Sequence, residues 1–207
     1  MRREELSELH YIAHLDNVQS ILRFGILSNR RAAKIGHTSV AMQEVQDRRV
    51  KVVVPGGRKL HEYVNLYICA RNPMLYKLRG QYLELCVLRV STDVLDPPGV
   101  VVTDANASSH YVRFAAAPAG LRIVDREATF AEYWTDPNRI LYWKKKSAKC
   151  AEVLVPDKVA PRFIMGAYVS CQQAMDRLNE LGMGIGVDIN GHMFIRWECD
   201  DGEGYHR

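Results

Sequence analysis

The sequence predicts an α+β domain built on mixed or antiparallel sheet. Strand-like runs outnumber helix-like ones, the two kinds do not alternate as they would in a doubly wound fold, and there is neither an internal repeat nor a low-complexity linker. The 207 residues suit one domain, read as residues 1–207, and a hydrophobic content of 47% is enough for a substantial core.

Along the chain, "HLDNVQSILRFGI" (14–26) reads as a short helix, with Asp16 as N-cap, Gln19 three residues later, Val18, Ile21 and Leu22 at helical spacing, and Gly25 to close it. "AMQEVQDRR" (41–49) is a second helical stretch. Strand-like runs, rich in valine, leucine and aromatics and bounded by Gly, Pro, Asp or Asn, follow at 51–54, 65–70, 82–90, 99–103, 151–155 and 163–169. "CQQAMDRLNELG" (171–182) is a helix between Ser170 as cap and Gly182 as terminator, and "GIGVDINGHMFIRW" (184–197) reads as a hairpin turning at Asn190-Gly191. The glycines Gly182, Gly184 and Gly186 superficially resemble a dinucleotide loop, but they follow a helix and precede a strand, the reverse of the order such a loop requires.

No apolar stretch approaches the roughly 18 to 20 residues of a membrane helix, and "MRREELSELHYIAH" lacks the apolar middle of a signal peptide, so a cytoplasmic protein without membrane association is expected. Five scattered cysteines, none spaced C-x-x-C, indicate neither a disulfide framework nor a zinc site. "LHEYVN" begins like the zinc-protease motif H-E-x-x-H, but Asn65 stands where the second histidine belongs, and no metal is expected. The formal charge of +4 is modest. Its distribution says more: Arg30, Arg31 and Lys34, then Arg48, Arg49 and Lys51, then Lys144, Lys145, Lys146 and Lys149 form three basic groups, either one phosphate-facing surface or separate solvated faces.

In "KKKSAKCAEVLV" (144–155) a lone carboxylate, Glu152, follows the third basic group and opens an apolar run. Strand alternation puts Glu152, Leu154 and Pro156 on one side and Ala151, Val153 and Val155 on the other, so the acid is expected half-buried at the strand's entrance. By itself such a glutamate is either the end of a solvated face or an acid held for chemistry.

The order "HLDNVQSILRFGILS", "QDRR", "LHEYVNLYICARNPMLYKLRG", "VVTDANASSHYVRF", "AKCAEVLV" resembles the DarT-type DNA ADP-ribosyltransferases, toxins of bacterial toxin–antitoxin pairs, over roughly residues 10 to 168. The resemblance implies an ADP-ribosyltransferase-like fold in which two small mixed or antiparallel sheets, decorated by helices, form an NAD cleft. It places the catalytic glutamate on Glu152 and the catalytic arginine on Arg48 or Arg49, which the sequence does not separate. It implies NAD as the consumed co-substrate, single-stranded DNA as acceptor, and a macrodomain antitoxin as partner. The cleft residues it implies are His10, Tyr11, Ile12, Ala13, Asn17, Gly25, Leu27 and Arg49. A family His-x-Thr pattern falls here on Tyr11 and Ala13, so either His10 shifts into that role or backbone groups of Tyr11, Ile12 and Ala13 make the contacts. "RRAAKIGHTSVAMQEVQDRR" (30–49) corresponds to the family's flexible element over NAD.

The chemistry explains these residue types. Breaking the nicotinamide–ribose bond develops positive charge on the sugar, and a fixed carboxylate stabilises it by several kcal/mol before taking a proton from the attacking base. An arginine meets phosphates with a fork that lysine lacks. Between 104 and 152, aromatics are interleaved with Arg113 and the lysine run, and Lys144, Lys145, Lys146, Arg113 and Tyr142 are the expected DNA contacts. The expected protein is a monomeric transferase that modifies a base in single-stranded DNA, guanine rather than thymine on the strength of Tyr11 and Ala13. A tRNA 2′-phosphotransferase-like enzyme and a nucleic-acid-binding module with a decayed NAD pocket are the rivals.

Overall fold

The structure, a computed structural model, describes residues 1–182 and 184–195. Its strands are β1 (Leu9–His14), β2 (Ile26–Leu27), β3 (Tyr63–Tyr67), β4 (Leu85–Val90), β5 (Val101–Thr103), β6 (Phe114–Ala116), β7 (Glu152–Pro156), β8 (Lys158–Val159), β9 (Ile164–Val169) and β10 (Gly186–Ile189). The α-helices are α1 (Val18–Phe24), α2 (Asn29–Ala32), α3 (Gln43–Arg49), α4 (Pro73–Lys77), α5 (Arg126–Phe130), α6 (Arg139–Ala148) and α7 (Gln172–Glu180). Ten strands and few long helices among the described residues make this the expected α+β fold.

One eight-stranded sheet runs in the order β10-β9-β4-β1-β3-β7-β5-β6, and β2 pairs with β8 in a small second sheet. Every pairing is antiparallel except that of β10 with β9. The large sheet is nearly two sheets. Throughout its length β1 pairs with β4, and β3 with β7, whereas β1 and β3 share one paired position, His10 opposite Tyr67. Beyond that position the inner edges of β1 and β3 separate, and the gap between them is the cleft described below.

The main core lies on one face, where Leu9, Leu66, Leu88, Val102, Val153 and Val155 pack with residues of α1 and α7. On the other face, Ile12, Tyr67, Leu85 and Val87 pack with Leu75 of α4, and Leu60, Tyr63 and Leu154 form a further cluster. With β7 between β3 and β5 and both faces covered, Glu152 is fully buried rather than half-buried as its strand-entrance position suggested.

Local differences from the sequence reading have physical causes. The run 51–54 contributes only a single bridge, Val53 with Lys59, and Val53 is exposed, so little burial at that position holds the run in a sheet. The first turn before α1 is capped by His14, whose Nδ1 accepts from the Asp16 N–H at 3.2 Å; Asp16 sits inside that turn. Ser170 does not cap α7, since its hydroxyl donates to the Tyr82 carbonyl. β10 is a parallel edge strand and does not enter a hairpin at Asn190-Gly191; residues 191–195 form turns, and the remainder of that expected hairpin lies outside the described residues. Among the described residues no helix is long and apolar enough to cross a membrane.

Candidate active site

The gap between β1 and β3 is an open recess of about 680 Å³ of non-atom space, mouth included. One wall is Tyr11, Ile12 and Ala13 of β1; the opposite wall is Tyr63, Val64 and Asn65 of β3. Because the inner edges of both strands lack a β partner here, they present main-chain N–H and C=O groups to whatever enters. The outer wall is the segment expected to close over the cofactor: Asn29 and Ala32 of α2, residues 37–41, and Gln46 and Arg49 of α3. A second hollow of about 390 Å³ shares Tyr11, Asn17, Leu27, Ala32 and His37 with the first and adds Gly25 and Ile21. The two together form a bipartite recess, the shape a dinucleotide requires.

Behind one wall of the recess stands an ion pair, of which Arg49 lines the recess and Glu152 does not. Glu152 is 0% exposed and Arg49 5%. Arg49 Nη1 donates to both carboxylate oxygens, each at 3.1 Å. Helix phase explains which arginine this is: Arg49 alone of α3 is buried, while Arg48 lies on the exposed side and does not reach the pair. Arg49 also lines the cleft, and no hydrogen bond to a described residue engages its Nε or Nη2, so donors remain for a ligand anion.

Glu152 is held from behind as well. Its N–H donates to Thr103 Oγ1 at 3.2 Å, and that hydroxyl donates to the Ala105 carbonyl at 2.7 Å, while the Ala107 backbone also hydrogen-bonds the carboxylate. Burial pushes the Glu152 carboxyl above the usual carboxylate range, and Arg49 pulls it part of the way back. Tyr67, the cross-strand neighbour of Glu152, has its phenol pushed far up by burial, with the Glu152 charge adding to the effect. The result is a single fixed negative charge, dry and oriented, behind an arginine at the floor of a recess.

The other expected cofactor residues divide. Tyr11, Ile12, Ala13 and Leu27 line the recess. Asn17 lines it too, but its carboxamide is engaged: Nδ2 donates to the Thr38 carbonyl at 2.7 Å and Oδ1 accepts from the Thr38 N–H at 2.9 Å, pinning the segment 37–41 to the start of α1. Gly25, at φ 90°, lines only the second hollow. His10 does not reach the recess. Its Nε2 meets Glu8 at 3.2 Å and its ring packs near Tyr168.

Of the expected DNA contacts, Lys144, Lys145, Lys146 and Tyr142 lie on α6, whose N-terminus is capped by Asn138. Lys144 is exposed, Lys145 is paired with Asp136 at 2.7 Å, and the Lys146 ammonium sits 4.9 Å from the centre of the Trp143 ring and 5.3 Å from that of Tyr142. Lys149, grouped with them in the sequence, is buried instead: its ammonium donates to the Ala131 carbonyl at 2.7 Å and contacts Cys69 Sγ at 3.4 Å, and burial lowers its pKa. Arg113 is committed to its own loop, with Nε on Asp104 at 2.6 Å and Nη2 on the Ile123 carbonyl at 3.1 Å. The residue that sequence reasoning missed is His61. "LHEYVN" offers a broken metal motif and a piece of the family resemblance but assigns His61 no role, yet His61 lines the cleft near Arg49.

A family model described as "ssDNA thymidine ADP-ribosyltransferase, DarT" matches residues 10–195. A DNA ADP-ribosyl transferase–DNA ADP-ribosyl glycohydrolase fusion protein of Thermosipho africanus is 34% identical over 182 residues, 84% of this chain; the chain spans only 45% of that protein's length. The structure of Thermus sp. 2.9 DarT in complex with ADP-ribosylated ssDNA superposes with a TM-score of 0.77 at 27% identity, covering 91% of this chain and 96% of that one. The same protein in complex with NAD+ gives a TM-score of 0.73 at 26% identity, over 91% and 98% of the two chains. With a split sheet, a cleft-lining arginine backed by a buried glutamate and a family match across most of its length, the chain belongs to the DarT family of ADP-ribosyltransferases.

Proposed function

We propose that this chain transfers ADP-ribose from NAD to a base of single-stranded DNA, acting as one catalytic domain over residues 1–207. The observation that carries this reading is the buried Arg49–Glu152 pair at the floor of the β1/β3 cleft. NAD would lie along the unpaired edges of Tyr11, Ile12 and Ala13, with Leu27 and Gly25 beneath its far end and Arg49 donating to its phosphates or placing the acceptor. Glu152 stabilises the ribose as positive charge builds on it, then receives the acceptor's proton. His10 and Arg48 have no part in this arrangement.

Supporting the substrates are relatives described as DNA ADP-ribosyl transferases and the Thermus structures holding NAD+ and ADP-ribosylated ssDNA. DNA would cross α6, meeting Lys144, Lys146 and Tyr142. Tyr11 and Ala13 favour guanine as the acceptor, whereas the description of the matching family model carries thymidine. A toxin working in the cytoplasm as a monomer, opposed by a macrodomain that removes the modification, completes the reading; the Thermosipho fusion joins a transferase to a glycohydrolase.

The test incubates the chain with labelled NAD and a mixed single-stranded oligonucleotide. Label transfer by wild type and none by Glu152→Ala is the expected result. Label on protein or RNA alone would overturn the DNA assignment. Mass analysis of the digested oligonucleotide identifies the base.

A further inference from the structure

His61 sits in the short turn Leu60–Glu62 that leads into β3. The turn is fastened on both sides: the Leu60 N–H donates to the Val52 carbonyl at 2.9 Å, and the Asp157 N–H donates to the Glu62 carbonyl at 2.8 Å. Arg30 of α2 pairs with the Glu62 carboxylate next to it. The imidazole is therefore placed by the main chain and not by its own hydrogen bonds. His61 Nε2 is in fact buried with no hydrogen-bond partner among the described residues. Leaving a buried polar atom unmatched is unfavourable, and such atoms in folded proteins call for an explanation. Among the described residues, the other side-chain atoms in this condition belong to His10, Ser28 and Arg71, none of which lines the recess; His61 does.

The ring's surroundings define what it can meet. Burial, reinforced by the Arg49 charge beside it, holds the His61 pKa below the ordinary histidine range, so the ring is neutral near pH 7 and carries one donor and one acceptor nitrogen. A hydroxyl both gives and accepts a hydrogen bond and so matches Nε2 in either tautomer. A dinucleotide carries hydroxyls on its riboses, and its phosphates can take the spare donors of Arg49.

We propose that His61 is a positioning residue of the NAD site, its Nε2 taking a ribose hydroxyl of the dinucleotide on the Arg49 side of the cleft. This rests on the NAD reading above.

The experiment measures NAD affinity by calorimetry, KM and kcat for oligonucleotide labelling, and thermal unfolding of the free protein, for the full chain and its His61→Ala, His61→Gln and His61→Asn variants. Glutamine places an amide where Nε2 stands, whereas asparagine reaches only the Nδ1 position. His61→Ala should weaken NAD about tenfold, equivalent to about 1.4 kcal/mol. His61→Asn should behave like it, and His61→Gln should recover to within about threefold. kcat should move less than KM, and the free protein should unfold no earlier than wild type, because an unmatched atom has been removed. Wild-type affinity in His61→Ala, or an affinity loss that follows a stability loss and that glutamine fails to recover, would overturn the proposal. A wild-type chain that binds no NAD would instead bring down the NAD reading itself.

Discussion

Replacing Arg49 by methionine removes the guanidinium from Glu152 and leaves a carboxylate with no exposure to solvent and no cation. Stripping one partner from a buried pair costs about 3–5 kcal/mol, which for a chain of this size lowers Tm by roughly 6–20 °C. Glu152→Gln should cost less, about 1–2 kcal/mol, because the amide carries no charge to strand and Arg49 borders the cleft, where water can reach it. In the double variant the stranded charge is gone, so the combined loss should fall short of the two single losses by about 2–3 kcal/mol. The acid side gives a second check. A carboxyl whose folded pKa lies above its unfolded value penalises folding above the folded pKa, and the penalty fades as pH falls through it. The Arg49→Met deficit relative to wild type should therefore shrink on acidification. Urea unfolding of the four proteins at several pH values tests this. Losses that add within about 0.5 kcal/mol, or a deficit independent of pH, would refute the claim that the pair is a coupled buried unit.

Other outcomes follow from single features. Burial would raise the Glu8 carboxyl, but hydrogen bonds from His10, Arg89 and Tyr168 more than offset it and hold it at about 2 rather than 4.5. After solvent screening that is worth about 1–3 kcal/mol of stability, present above the unfolded value and lost as pH falls toward the folded one, so Glu8→Gln should remove it at neutral pH and flatten the acid limb of the unfolding curve. A Cβ on Gly25 would stand 2.2 Å from the Val159 carbonyl oxygen, at a φ of +90°, so Gly25→Ala should lose at least about 2 kcal/mol in urea unfolding; an unchanged midpoint contradicts the close approach of β2 to β8. If DNA crosses α6, Lys144→Ala with Lys146→Ala should raise KM for the oligonucleotide, leave NAD affinity unchanged, and reduce the salt slope of binding by about 1.4, at roughly 0.7 per single-strand phosphate.

What the sequence discloses is local. The β-branched runs at 151–155 and 163–169 become β7 and β9, and the spacings before Gly25 and within "QEVQDRR" become α1 and α3, because periodicity and punctuation sit within a few residues. The resemblance supplies the family, and helix phase, visible once α3 is built, separates Arg49 from Arg48. What needs partners far along the chain is not disclosed. Nothing near Gly186 says that it will pair in parallel with β9, and the local Asn-Gly signal pointed to a hairpin instead. Nothing near Lys149 says that it will turn inward toward Ala131 and Cys69, and its neighbours Lys144, Lys145 and Lys146 suggest another surface cation. The single paired position between β1 and β3, beyond which the cleft opens, belongs to an eight-stranded order that no local stretch shows.

A recognition surface made from peptide units is indifferent to which side chains flank it. The side chains of Tyr11 and Ala13 can change while the amides between them keep offering the same donors and acceptors, provided the two strands stay apart. Selection on such a wall acts through whatever preserves the opening. Substitutions that let β1 zip onto β3 should be more damaging than changes at the residues that touch the ligand.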